Sequence, residues 1–255
     1  MKKLFILSLS ALTLFSCGGS TQNQNSPAEK TEAKTPGNPT QSQNDDDDQG
    51  CDRSFVRDNI KKFGECKNVA ITKSNGDLML YGRNGYAVNE CCPSDLTETI
   101  KKLNSNNELI DDVQLTENGA WLVIYGDNGI IWNNIPSSLE NKIKEYNSNG
   151  EVINSITFND SGDWIIITDE RYCTSDADAT DWLSNGEKQY GELWAACLTD
   201  EGMVAVYEKG YQFTGNVPSN LKSALQKTSI NVYRLKIAGT AWFFADSDGN
   251  YEYEM

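Results

Sequence analysis

Asn68-Val69-Ala70-Ile71-Thr72-Lys73-Ser74-Asn75-Gly76-Asp77-Leu78-Met79-Leu80-Tyr81-Gly82-Arg83-Asn84-Gly85-Tyr86-Ala87-Val88 is the stretch whose reading decides the fold. Three apolar runs are separated by Asn-Gly pairs. Asn-Gly supplies the positive φ that tight hairpin turns demand, so the stretch reads as a three-stranded antiparallel meander. The first run alternates, which predicts one buried face. The second, Leu78-Met79-Leu80-Tyr81, is apolar throughout, which predicts a central strand covered on both sides. Beyond it, Cys92-Pro93-Ser94 precedes a helical stripe at Leu96, Ile100 and Leu103. Pro suits the first helical position, where its missing N–H has no partner to lose. Upstream, Phe55, Val56, Ile60 and Phe63 predict an opening helix.

The same order recurs along the chain. Val113 and Leu115, a turn at Asn118-Gly119, Trp121 to Tyr125, a turn at Asp127-Asn128-Gly129 and Ile130 to Trp132 form a second copy. Pro136-Ser137 then opens a helix through Leu139, Ile143 and Tyr146. Third, fourth and fifth copies follow, and the first-turn glycines Gly76, Gly119, Gly162, Gly202 and Gly239 fall roughly 40 residues apart. We expect these five glycines to hold equivalent turns, and Trp121, Trp164 and Trp242 to be core residues. The predicted fold is a β-rich α+β repeat domain over 51–255. Its five units, each a helix plus a three-stranded meander, span about 51–91, 92–134, 135–174, 175–215 and 216–255. The junction of the third and fourth units departs from the pattern. An acidic loop from Thr174 to Asp181 replaces Pro-Ser, and Gly186 predicts a shorter, weaker helix.

Five such units form a closed ring or an open solenoid; we favour a propeller-like ring. In element count and order the units resemble the α/β-propeller of the pentein superfamily. The pentein hydrolases use a Cys and a His, and this chain has no His, so their chemistry is not implied. An ordinary β-propeller with four strands per blade is the runner-up.

The amino-terminal segment carries a different message. Met1-Lys2-Lys3 is basic, and Leu4 to Ser16 is uncharged and mostly apolar, too short to span a bilayer as a helix. Leu14-Phe15-Ser16-Cys17 followed by Gly18-Gly19 resembles the lipobox of bacterial lipoproteins, with the bulky Phe15 a departure. The resemblance covers about the first 20 residues. It implies a signal peptide over 1–16, cut before Cys17, and acylation of the Cys17 thiol, with acyl chains that hold the protein to a membrane. Residues 18 to 50 hold no Val, Ile, Leu, Met, Phe, Tyr or Trp and end in Asp45-Asp46-Asp47-Asp48. Residues 17–50 are therefore expected to form a lipidated, disordered tether. The expected location is the cell envelope, at the outer membrane or cell surface.

A net charge of −15 opposes nucleic acid and anionic lipid, so the lipid must do the anchoring. Beyond Cys17 stand Cys51, Cys66, Cys91, Cys92, Cys173 and Cys197, an even number that predicts disulfides without fixing their pairing. The absence of His and of CxxC spacing argues against a metal cluster. Without His, Ser-His-Asp and Cys-His catalysis are excluded, and no phosphate-binding glycine motif is present. No catalytic set and no cofactor are implied. Asp176, Asp178 and Asp181 are the candidate ligand or cation loop. Tyr86, Trp132, Tyr172, Tyr211 and Tyr251, on third strands, are candidate exposed aromatics for a protein or glycan ligand, with packing between units as their other role. Asp246 to Asn250 starts like a calcium loop but lacks its closing Glu, and a hairpin turn fits better. The leading functional reading is a non-catalytic binding or interaction module. The alternatives are a carboxylate-dependent hydrolase of envelope or environmental polymer, and a structural envelope component.

Overall fold

The computed structural model describes residues 51–255; the signal segment, Cys17 and the tether lie outside the described residues. The first unit comprises α1 (Ser54–Phe63), β1 (Asn68–Ile71), β2 (Asp77–Tyr81) and β3 (Gly85–Val88). The second has α2 (Ser94–Ser105), β4 (Ile110–Leu115), β5 (Trp121–Tyr125) and β6 (Gly129–Asn133). The third has α3 (Ser137–Asn149), β7 (Ile153–Phe158), β8 (Trp164–Thr168) and β9 (Tyr172–Thr174). In the fourth are α4 (Ala177–Tyr190), β10 (Leu193–Leu198), β11 (Gly202–Tyr207) and β12 (Gly210–Gly215). The fifth closes the chain with α5 (Ser219–Lys227), β13 (Arg234–Ala238), β14 (Ala241–Ala245) and β15 (Tyr251–Glu254). Each unit forms its own three-stranded antiparallel sheet, with the second strand in the middle. The domain is thus a β-rich repeat of five helix-plus-meander units.

The helices fill the seams between successive sheets. Leu96, Ile100 and Leu103 of α2 pack between Leu78 and Leu80 of the first meander and Val113, Trp121 and Val123 of the second. At ~1.5–3 kcal/mol per buried large aliphatic, such a stripe is enough to fix the helix in place. In the same way α3 fills the seam of the second and third meanders, α4 that of the third and fourth, and α5 that of the fourth and fifth. The opening helix α1 places Val56 and Ile60 between Val69 and Met79 of the first meander and Ala241 and Phe243 of the fifth. The first strands lie side by side in the order β1, β4, β7, β10 and β13, and β13 also touches β1.

Several expectations need correction. The first strands are not buried on one face alone: Asn68, Val69, Ala70 and Ile71 of β1 are all buried, and the half-buried edge is the third strand. The proline stands at the N-cap, one place earlier than expected, with Pro93, Pro136 and Pro218 in extended ψ. That is the conformation the residue before a helix requires. The five glycines are not equivalent. Gly119, Gly162 and Gly239 have positive φ, but in the first unit the left-handed residue is Asn75. In the first three units Asn75, Gly119 and Gly162 donate to the carbonyls of Thr72, Thr116 and Asn159, the three-residue turn that ends in one left-handed residue. The fourth and fifth units use two-residue turns, pairing Leu198 with Met203 at the base of one and Ala238 with Ala241 across the other. Trp121 and Trp164 do occupy matching places, each opposite the last residue of its first strand and buried in the seam before its unit.

The helix expected to be short is the longest: α4 runs 14 residues. Gly186 lies inside it because Tyr207 and Gln212 press on that point, and Tyr207 donates to the Leu183 carbonyl. Of the six cysteines, Cys51 and Cys91 form a disulfide, while Cys66, Cys92, Cys173 and Cys197 are free. The even count therefore overstates the pairing.

Candidate functional site

The two ends of the first strands are built differently. At the end where they enter their first turns, the turns of neighbouring units are clasped by carboxylates. Glu117 accepts from the backbone N–H groups of Lys73 and Ser74 in the preceding turn. Asp160 accepts from Asn118 N–H at 3.2 Å, and Asp200 from Ser161 N–H at 3.0 Å and its hydroxyl at 2.8 Å. The acid falls on the first residue of each turn, where the first unit has Lys73 and the fifth has Gly239. Lys73 instead pairs with Glu201 of the fourth unit, and this contact holds the Glu201 carboxyl below its usual range. The cavity at this end is about 60 Å³ and is lined from all five units.

The opposite end, the open end of the strands, holds the larger cavity of the two. A cavity of about 370 Å³ is lined by residues of β4, β7, β10 and β13 and of the loops around them. Three first strands carry a bulge at the same place, which leaves Asp111, Asn154 and Trp194 as the extra residues. A bulge re-aims a side chain that regular alternation would send elsewhere. All three bulged residues line the cavity. The Trp194 ring lies 5.1 Å from that of Tyr233, tilted by 34°. Deeper in, Lys236 donates to Asp112 at 2.6 Å and to the Val113 carbonyl at 3.1 Å, and Asn68 donates to Asp112 at 2.8 Å. Lys236 and Asp112 are both buried. This pair joins the second and fifth units, Asn68 adds the first, and the two charges satisfy each other where neither would be tolerated alone. Arg234 lines the same cavity and makes no ion pair among the described residues.

The residues nominated from sequence stand elsewhere. Asp176 is the N-cap of α4 and accepts from Ala179 N–H at 3.0 Å. Asp178 lies in the first turn of that helix, where a negative charge favours the helix dipole. Asp176 and Asp178 line a second groove of about 600 Å³ between the third and fourth units, with Trp182 and Asp200; Asp181 does not. Among the described residues no three Asp, Glu or Cys side chains converge as a metal site requires. The end of the predicted loop, from Ala177, forms the start of α4. Tyr86, Trp132, Tyr172, Tyr211 and Tyr251 are half-buried, one in each seam, packed on the seam core. Burial pushes the thiols of Cys66 and Cys92 up to about 12 and that of Cys197 up to about 11, which leaves them poor nucleophiles. Sequence reasoning passed over Trp194, Tyr233, Arg234 and Lys236. The one available signal was Lys236, a charge inside the apolar alternation of Leu235 and Ile237.

Among the described residues no helix is long and apolar enough to cross a membrane. Comparison with family models, with curated proteins and with solved structures returned no match.

Proposed function

We propose that the chain is an envelope lipoprotein whose five units close into a propeller-like ring, and that the open end of the ring binds a ligand without transforming it. The observation that carries the binding reading is the cavity of about 370 Å³, walled by first strands of four units with three bulged residues at its mouth. Pockets of this size with a few placed polar groups are the usual form of a small-ligand site. Ring closure is supported by the seam that α1 fills between the fifth and first meanders and by the contact of β13 with β1. Acylation at Cys17, with the signal 1–16 removed and residues 17–50 as tether, places the module at the outer membrane or cell surface. Of the three carboxylates in the acidic loop, Asp176 is engaged in capping α4.

Two measurements test the reading. The mature chain is screened against glycans and peptides, and each bound compound is followed for turnover. Binding without turnover supports a module; turnover of a polysaccharide moves the protein to the hydrolase class; no binding leaves a structural role. Intact-mass analysis of the chain from its native envelope tests the anchor. A mature chain with an unmodified Cys17 thiol overturns it.

A further inference from the structure

We propose, resting on the reading of the open cavity as the ligand site, that its ligand is a neutral saccharide packed on the Trp194–Tyr233 pair. The large apolar side chains exposed among the described residues are Leu109, Val152 and Tyr233. Each is the residue immediately before the first strand of its unit, preceding Ile110, Ile153 and Arg234. Exposure of large apolar groups is thus confined to one end of the first strands. Val152 and Tyr233 line the cavity itself. Tyr233 stands 38% exposed, and its partner Trp194 is brought to the mouth by the bulge in β10. Two aromatic rings from adjacent units, tilted by 34°, with Tyr233 exposed and Trp194 half-buried, offer a surface on which the C–H face of a sugar ring packs.

The polar groups around them decide the ligand class. Asp127, Asp169 and Glu192 bring acceptors to the cavity wall, while Arg234 brings a guanidinium without an acidic partner. An anionic ligand meets the carboxylates and a chain of net charge −15. A cationic ligand pairs with those carboxylates but leaves the Arg234 guanidinium without an acceptor, and the nearby Asp112 is already neutralised by Lys236 at 2.6 Å. A hydroxyl donates and accepts at once, so a neutral polyol satisfies both kinds of group without burying a charge.

The test is a glycan array and titration calorimetry on the full mature chain, with Trp194→Ala and Tyr233→Ser as site variants. Asp178→Asn, in the groove between the third and fourth units, is the control, and thermal melts verify that each variant folds. Neutral glycans are expected to bind, and each site variant to weaken them by about tenfold or more, while Asp178→Asn binds as the parent does. A basic or apolar peptide that binds and is lost in both site variants keeps the cavity as the ligand site and overturns the saccharide. Preference for uronic-acid glycans overturns the neutral class. Glycan binding indifferent to both site variants, or no glycan binding at all, overturns the inference.

Discussion

The two ends of the first strands spend the same short sequence in opposite ways. At the turn end, an acid on the first residue of a turn reaches back to the N–H groups of the turn before it, as Glu117, Asp160 and Asp200 do. At the other end, three strands admit an extra residue, and apolar groups remain uncovered. Carboxylates that clasp the backbone of the neighbouring turn sit at one terminus, and bulged residues and exposed apolar groups sit at the other.

The layer between the ends should be the most sensitive. Lys236→Met leaves Asp112 buried with Asn68 but no countercharge, and is expected to cost about 3 kcal/mol or more in urea unfolding. An equal loss from Tyr233→Ser would erase the contrast between layer and rim. At the turn end, Asp200→Ala removes two hydrogen bonds to Ser161 and is expected to cost about 1 kcal/mol, because the site is exposed and solvent competes for the partners. A neutral result would show that the clasp does not hold the turns.

Asp77 gives the turn end a pH dependence. Burial pushes its carboxyl up to about 7, against the pull of Arg53 beside it. A carboxyl raised above its unfolded value of 3.8 binds more protons folded than unfolded between those two values. Stability from this group is therefore present at low pH and is lost as pH rises through about 7. Melting temperature measured from pH 4 to pH 8 is expected to fall less steeply in Asp77→Asn than in the parent. A steeper fall in the variant reverses the assignment. At the open end, Tyr233→Ser is expected to change unfolding free energy by no more than about 0.5 kcal/mol, since the ring is already partly in water.

The meanders and the stripes of α2, α3 and α5 were legible because periods of two and 3.6 write burial directly into the sequence. The bulges were not. Ile110-Asp111-Asp112-Val113 carries no glycine or proline to mark an inserted residue, and the insertion shows only against the partner strand. The misreading of α4 has a similar cause. Gly186 was weighed at its intrinsic helical cost, while the ring that needs its missing side chain comes from Tyr207 on β11. The even cysteine number suggested disulfides throughout, but a bridge needs two sulfurs in reach, and among the described residues only Cys51 and Cys91 meet that condition. The open-end site was least legible, because Trp194 and Tyr233 belong to different units and have no relation in sequence beyond their repeat position.

The seam filled by α1 has a consequence in time. Four helices pack between the two meanders they connect, so their seams close from neighbouring stretches of chain. The α1 seam joins Val56 and Ile60 to Ala241 and Phe243, from opposite ends of the described chain. Contacts of such separation form late, because the intervening loop must first give up its freedom. Until β14 has been made, α1 waits with half of its apolar stripe uncovered. Arg53 bonds to Asp77 and to the Thr72 carbonyl, and Cys51 bonds to Cys91. All of these partners lie in the first unit, so the helix can be parked beside its own meander before the last one exists. The final step of assembly is then the docking of the fifth unit onto a prepared surface, and the interval before it is when the chain is most open to wrong partners.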